Sequence, residues 1–254
     1  MRILAIASLL SFALVGSAVG VRLVLLARRT RRLPELSIGL GLLLICALGH
    51  PFCALGRLPG MLGTPLGDGL FALGLGLSCT GIALLYCFTW RVFRVGESWA
   101  RTLVIGAALT LALLAVGLLR ASSHAETLSE ILPLTRPWAV GIVLAVTGAF
   151  AWTGAESFAH ARRLQRRLAL GLADPVVLDR FRLWGTSGLA GAALCSTLAV
   201  CLGSGMMVLH EPVPLAITAA AGWVVSICWT LAFLPPAQYL RSVERRAQPA
   251  LRTS

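Results

Sequence analysis

The sequence predicts an all-α polytopic membrane protein of seven transmembrane helices, with the amino terminus outside and the carboxyl terminus inside the cell. Three observations carry that prediction. The chain is 57% hydrophobic and only 13% charged, with a mean hydropathy of +0.85, so lipid is the solvent that matches it. Its apolar residues gather in seven blocks, each close to the ~20 residues that cross a bilayer core. Its basic residues separate by side. All 22 are Arg, and alternating crossings place eighteen of them on one face, leaving Arg2, Arg57, Arg120 and Arg136 on the other. Such a bias assigns the richer face to the cytoplasm and the protein to the inner (plasma) membrane.

The seven-helix domain covers residues 1–240, and residues 241–254 form a short basic cytosolic tail. Block one, residues 3–26, has features of a cleavable signal. Its apolar run continues to the stop-transfer flank Ala27-Arg28-Arg29-Thr30-Arg31-Arg32, which predicts a retained helix. Block two, 36–56, follows Leu33-Pro34-Glu35, where Pro suits a first helical turn and Glu its positive dipole end. Block three, 68–92, is dense in Gly, and block four, 102–119, follows the stop and cap Gly96-Glu97-Ser98. Ser123 and Glu126 have capping-box spacing for a short helix ahead of block five, 137–158. The next segment, 160–182, is a long basic stretch; within it Asp174-Pro175 reads as an N-cap and first residue leading into block six, 183–202. Block seven, 214–234, stops at Pro235-Pro236.

Arg clusters follow both block one and block five: Ala27 to Leu33 echoes Ala161 to Leu168. The echo suits a three-plus-one-plus-three plan of parallel repeats, as in SWEET-type transporters, although topology alone also predicts basic flanks there.

A retinal Schiff base needs a Lys, and the chain has none. Pro236-Ala237-Gln238-Tyr239 matches the receptor P-x-x-Y without its surrounding motifs. Gly185-Thr186-Ser187-Gly188 resembles the rhomboid nucleophile motif, but a Ser nucleophile needs a base within reach, and small residues at this spacing equally serve helix packing. The seven Cys fall in apolar blocks without C-x-x-C spacing, so they read as small hydrophobes, and nothing supports a disulfide between Cys53 and Cys201. No pattern calls for a cofactor or metal; His50, His124 and His210 share the outer face but sit on three separate segments. The Arg residues flank apolar blocks rather than interleave with aromatics, which argues against nucleic acid.

Two ionisable residues fall inside apolar blocks, His50 and Glu156, where ionisable groups are costly and often functional. Glu156 is expected to snorkel toward Arg162 or Arg163. Trp223, Ser226, Cys228, Trp229 and Thr230 of block seven with Tyr86 and Thr89 of block three supply aromatic and hydroxyl groups for a small pocket, with a packed core as the default reading. On the inner face Glu35 and Asp174 are expected to meet Arg91, Arg94 and Arg180 in a charged cap that ties the loops together.

The segments Arg31-Arg32-Leu33-Pro34-Glu35, Phe88-Thr89-Trp90-Arg91-Val92-Phe93-Arg94 and 167–177 resemble those of a group of uncharacterised bacterial seven-helix membrane proteins. The resemblance implies the fold and no activity. The functional expectation is a non-enzymatic sensor or interaction module whose basic cytosolic face is read by anionic lipid headgroups or a cytosolic protein. The alternative is a small-solute transporter of repeat architecture.

Overall fold

In a lipid solvent every peptide group must find its partner within the chain, and helices achieve this locally. The computed structural model describes residues 2–123 and 128–252, and among these there is helix and no strand. Seven helices are long and apolar enough to cross a membrane: α1 (Arg2–Thr30), α2 (Leu33–Gly56), α3 (Pro65–Phe93), α4 (Ser98–Ser123), α5 (Leu128–Leu168), α6 (Pro175–Ser204) and α7 (Pro212–Phe233). An eighth helix, α8 (Ala237–Arg252), follows.

The starts of the helices follow the local chemistry. Thr64 caps α3 by accepting from the Gly67 N–H at 3.0 Å, and Asp174 caps α6 by accepting from the Val176 N–H at 2.8 Å, with Pro175 first in the helix. α6 ends at Gly205, whose φ of 74° is the left-handed cap that Gly adopts without a Cβ penalty.

Three features depart from the sequence reading. The short helix expected ahead of block five is instead the first part of one 41-residue helix containing Pro133 and Pro137; its capping pair falls on Ser123 and on Glu126, and Glu126 lies outside the described residues. The Pro residues remove two rungs of the hydrogen-bond ladder, too few to divide so long a helix. Within α2, Leu43–Gly49 is a π-helical segment. The tail beyond Pro236 is helical as α8, because Tyr239, Leu240 and Val243 place an apolar stripe at i, i+1 and i+4. Val243 is buried, and the Tyr239 hydroxyl donates to Asp179 Oδ2 at 2.6 Å, which docks α8 on α6.

The helices pack in sequence around a ring. α1 meets α2, α2 meets α3, α3 meets α5, α5 meets α6, α6 meets α7, and α7 returns to α1. α4 stands outside, against α3 and α5. Glycines set the closest crossings. A Cβ on Gly41 would lie 3.0 Å from the Gly81 carbonyl oxygen, one on Gly49 3.1 Å from that of Gly74, and one on Gly56 2.5 Å from that of Gly67. α5 and α6 cross where a Cβ on Gly188 would sit 2.7 Å from the Cα of Gly154. The G-x-S-G segment is thus a packing surface, and the Ser187 hydroxyl is spent on the Trp184 carbonyl at 2.8 Å. Gly20 likewise meets the Gly39 carbonyl of α2.

Large apolar side chains cover the outside, as Leu14 at 71% and Leu113 at 70% exposure illustrate. Water would penalise such a surface, whereas acyl chains match it. The connections between α1 and α2, α3 and α4, and α5 and α6, together with α8, form the Arg-rich end of the ring.

Candidate functional site

The ring surrounds a partly open chamber of about 580 Å3. It is lined by α1, α2, α3, α5, α6 and α7, while α4 contributes no lining residue. The volume lies within the roughly 300–1,000 Å3 of small-molecule sites. Its wall is almost all hydrocarbon: Leu9 and Phe12 of α1, Ile45 of α2, Leu75 of α3, Val146 of α5 and Leu194 of α6 are typical. No Asp, Glu or Arg lines it among the described residues.

The few polar groups in the wall are largely committed. Ser8 donates to the Ala219 carbonyl at 3.0 Å and Thr218 to that of Pro214 at 2.9 Å. Thr153 lies 2.6 Å from Thr89, with both hydroxyls also near carbonyls of their own helices. Each hydroxyl carries one proton, so one of the pair gives up its carbonyl to bond the other.

Toward the Arg-rich end the lining stops at Ile38, Leu85, Thr153, Trp184 and Trp229. Trp184 and Trp229 stack with centroids 6.2 Å apart, and Trp184 meets Phe88 and Phe233 edge-on at 5.8 and 5.3 Å. These rings form a floor. The Trp184 side chain is 6% exposed, and its indole N–H has no acceptor among the described residues. Beyond the floor Phe88 contacts Phe93, and Phe93 contacts Phe181 and His160 at the Arg-rich end. On the chamber side, Trp229 contacts Phe12 at 5.2 Å and Phe12 contacts His50 at 6.3 Å. A continuous file of rings thus runs from the chamber wall at His50 to the Arg-rich end.

His50 and Glu156 occupy opposite ends of this arrangement. His50 is exposed, lines the chamber, and places Nδ1 2.9 Å from the Ile45 carbonyl within the π segment. Glu156 is 8% exposed and accepts from Arg94 Nε at 2.7 Å and from Trp152 Nε1 at 3.3 Å. Its partner is therefore Arg94 of the third connection and not the expected Arg162 or Arg163, which are exposed. Those two lie six and seven residues further along the same helix, whereas the end of α3 arrives beside Glu156. The hydrogen bond that Arg94 donates to Glu156 holds its guanidinium above its already high range, and the guanidinium lies over the Trp99 ring at 5.6 Å.

The other residues expected in a charged cap are placed apart. Glu35 accepts from the Thr30 hydroxyl across the turn between α1 and α2. Asp174 caps its own helix, Arg91 lies over Trp90 at 4.6 Å, and Arg180 is exposed. Among the described residues the ion pairs are Arg94 with Glu156 and Arg57 with Asp68. Of the pocket expected between blocks three and seven, Trp229 alone reaches the chamber, which lies mostly toward the other end. Tyr86 instead bonds the Ala145 carbonyl at 2.7 Å. All seven Cys are free thiols, Cys53 and Cys201 included, and His124 lies outside the described residues.

Sequence reasoning missed Phe12, Trp184 and the chamber itself. The signal available was the aromatic spacing between α1, α6 and α7, which carries no direction without the packing.

No protein-family model, curated protein or solved structure matches the chain. Its seven apolar helices and hydrocarbon exterior define a multi-pass integral membrane protein.

Proposed function

We propose that the protein is a non-enzymatic membrane sensor, oriented amino terminus out and carboxyl terminus in, whose chamber responds to a bound ligand and whose Arg-rich end is read in the cytoplasm of the cell by anionic headgroups or a protein partner. The observation that carries this reading is the aromatic floor, which stops the chamber short of the Arg-rich end yet continues, ring against ring, to Phe181 and His160. A ligand that displaces Trp229 or Trp184 pushes on packed side chains, and packed cores answer by switching arrangement rather than deforming smoothly. The unpaired Trp184 N–H supports such a switch: a buried donor without an acceptor costs roughly 1–3 kcal/mol, and rotation of the ring relieves it. The Arg segregation supports the orientation and the inner (plasma) membrane.

A transporter is the second reading. It is favoured by the exclusion of α4 from the chamber and by the match between the α1 and α7 contact and the α3 and α5 contact, as a three-plus-one-plus-three plan requires. The hydrocarbon wall argues against polar solutes for either role.

Limited trypsin digestion of proteoliposomes tests the sensor. Trp184→Ala is expected to change cleavage in residues 160–182 several-fold while lipid-facing Leu113→Ala leaves it unchanged. Robust counterflow of any solute overturns the sensor reading. A reporter after Ser254 is expected in the cytoplasm and one at Ala125 on the other side, both positions lying outside the described residues; a cytoplasmic signal at Ala125 overturns the orientation.

A further inference from the structure

We infer that the chamber takes a single apolar chain ending in a hydroxyl-bearing head group, of the fatty-alcohol kind, with the head at His50 and the tail against the aromatic floor. The inference deepens the sensor reading and rests on the same chamber. The wall excludes charged and sugar-like ligands, because a polar group buried there without a partner is strongly disfavoured and Ser8, Thr218 and Ser187 are already bonded to carbonyls. A wholly apolar molecule leaves one site unused. At His50 the Ile45 carbonyl can only accept, so the geometry assigns a ring hydrogen to Nδ1, and in that tautomer the Nε2 lone pair is the acceptor. Ser78, also in the wall, packs beside Gly49, the residue before His50, and adds a second hydroxyl at the same place. A ligand O–H donating to Nε2 satisfies that lone pair, while its chain passes Phe12 toward Trp229 and Trp184. The π segment matters here because it brings the Ile45 carbonyl, five residues back, to His50.

The experiment uses the purified full chain in nanodiscs and two probes: a long-chain alcohol brominated at the far end, and the same brominated chain without the hydroxyl. Bromine quenches indole fluorescence on contact, so a tail on the floor reports through Trp184 and Trp229. Saturable quenching is expected, with the alcohol about five- to tenfold tighter than the hydrocarbon, the contribution of one hydrogen bond. His50→Leu is expected to erase that difference without weakening the hydrocarbon. Val146→Phe, which fills the chamber, is expected to remove the saturable component that Leu113→Phe on the lipid face retains. Equal affinity for the two probes in the wild type overturns the head-group assignment, and saturable quenching unchanged by Val146→Phe overturns the chamber as its site. If Val146→Phe does not fold, the His50→Leu comparison decides alone. Binding without any change in trypsin cleavage at the Arg-rich end leaves the ligand standing and defeats the sensor; a cleavage change in Trp184→Ala without binding does the reverse.

Discussion

Arg94 and Glu156 meet at 2.7 Å where the end of α3 reaches the side of α5, with their side chains 32% and 10% exposed. The pair is asymmetric. Removing Glu156 leaves a guanidinium that can turn to solvent, whereas removing Arg94 strands a carboxylate that is nine-tenths buried. Arg94→Ala is therefore expected to cost about 2–3 kcal/mol and Glu156→Ala about 1 kcal/mol, with the double variant no worse than Arg94→Ala. Thermal unfolding in detergent measures all three. Equal losses for the single variants, adding in the double, exclude a coupled pair.

Asp174 and Val176 test a different interaction at the same end. The carboxylate accepts from the Val176 N–H and has no ion-pair partner among the described residues. Asn offers the same acceptor without the charge, so Asp174→Asn is expected to match the wild type, while Asp174→Ala loses about 1 kcal/mol. A melting temperature for Asn as low as that for Ala restores a role for the charge, and with it the cap joining Asp174 to neighbouring Arg residues.

Glycines divide by what surrounds them. A Cβ on Gly188 meets the backbone of Gly154, and one on Gly74 meets the Cys53 amide at 2.5 Å, whereas Gly76 and Gly106 have nothing within 4 Å. Backbone cannot yield as a side-chain end can. Gly188→Ala and Gly74→Ala are expected to destabilise by about 1–3 kcal/mol, and Gly76→Ala and Gly106→Ala to be neutral or slightly stabilising through helix propensity. Size-exclusion profiles after heating separate the two groups, and a uniform response across all four counts against glycine-set crossings.

The contrast between Phe12 and Leu14 explains how far the sequence could be read. Helix number and several starts were legible, because a run of apolar residues and a cap such as Asp174-Pro175 are local signals. Which face of each helix turns inward was not. Phe12 lines the chamber and Leu14, two residues on, faces lipid; both are apolar because core and bilayer make the same demand. The chamber was illegible for that reason. Glu156 was legible as an unusual residue, but its partner depends on a tertiary approach that places Arg94 of another segment nearer than Arg162 of its own helix. α8 was legible in principle, since Tyr239, Leu240 and Val243 carry helical spacing, and a basic composition obscured it.

The π segment of α2 makes the last prediction. On α3 the contact glycines Gly67, Gly74 and Gly81 are spaced by seven, and seven α-helical residues fall only ~20° short of two turns. Their partners on α2 are Gly56, Gly49 and Gly41, spaced by seven and then eight. Eight residues of regular α-helix would overshoot two turns by ~80° and turn Gly41 away from Gly81. The wider turn of Leu43–Gly49 absorbs the additional residue and keeps all three glycines on one face. Deleting Leu48, which is exposed within this segment, is therefore expected to yield a folded protein with an unbroken α-helix and the glycine contacts intact. Deleting Leu73, also exposed, from α3 rotates Gly67 by ~100° from Gly74 and is expected to prevent folding. Monodisperse yield and melting temperature in detergent compare the two deletions. A Leu48 deletion as damaging as that of Leu73 rules out register correction as the purpose of the π segment.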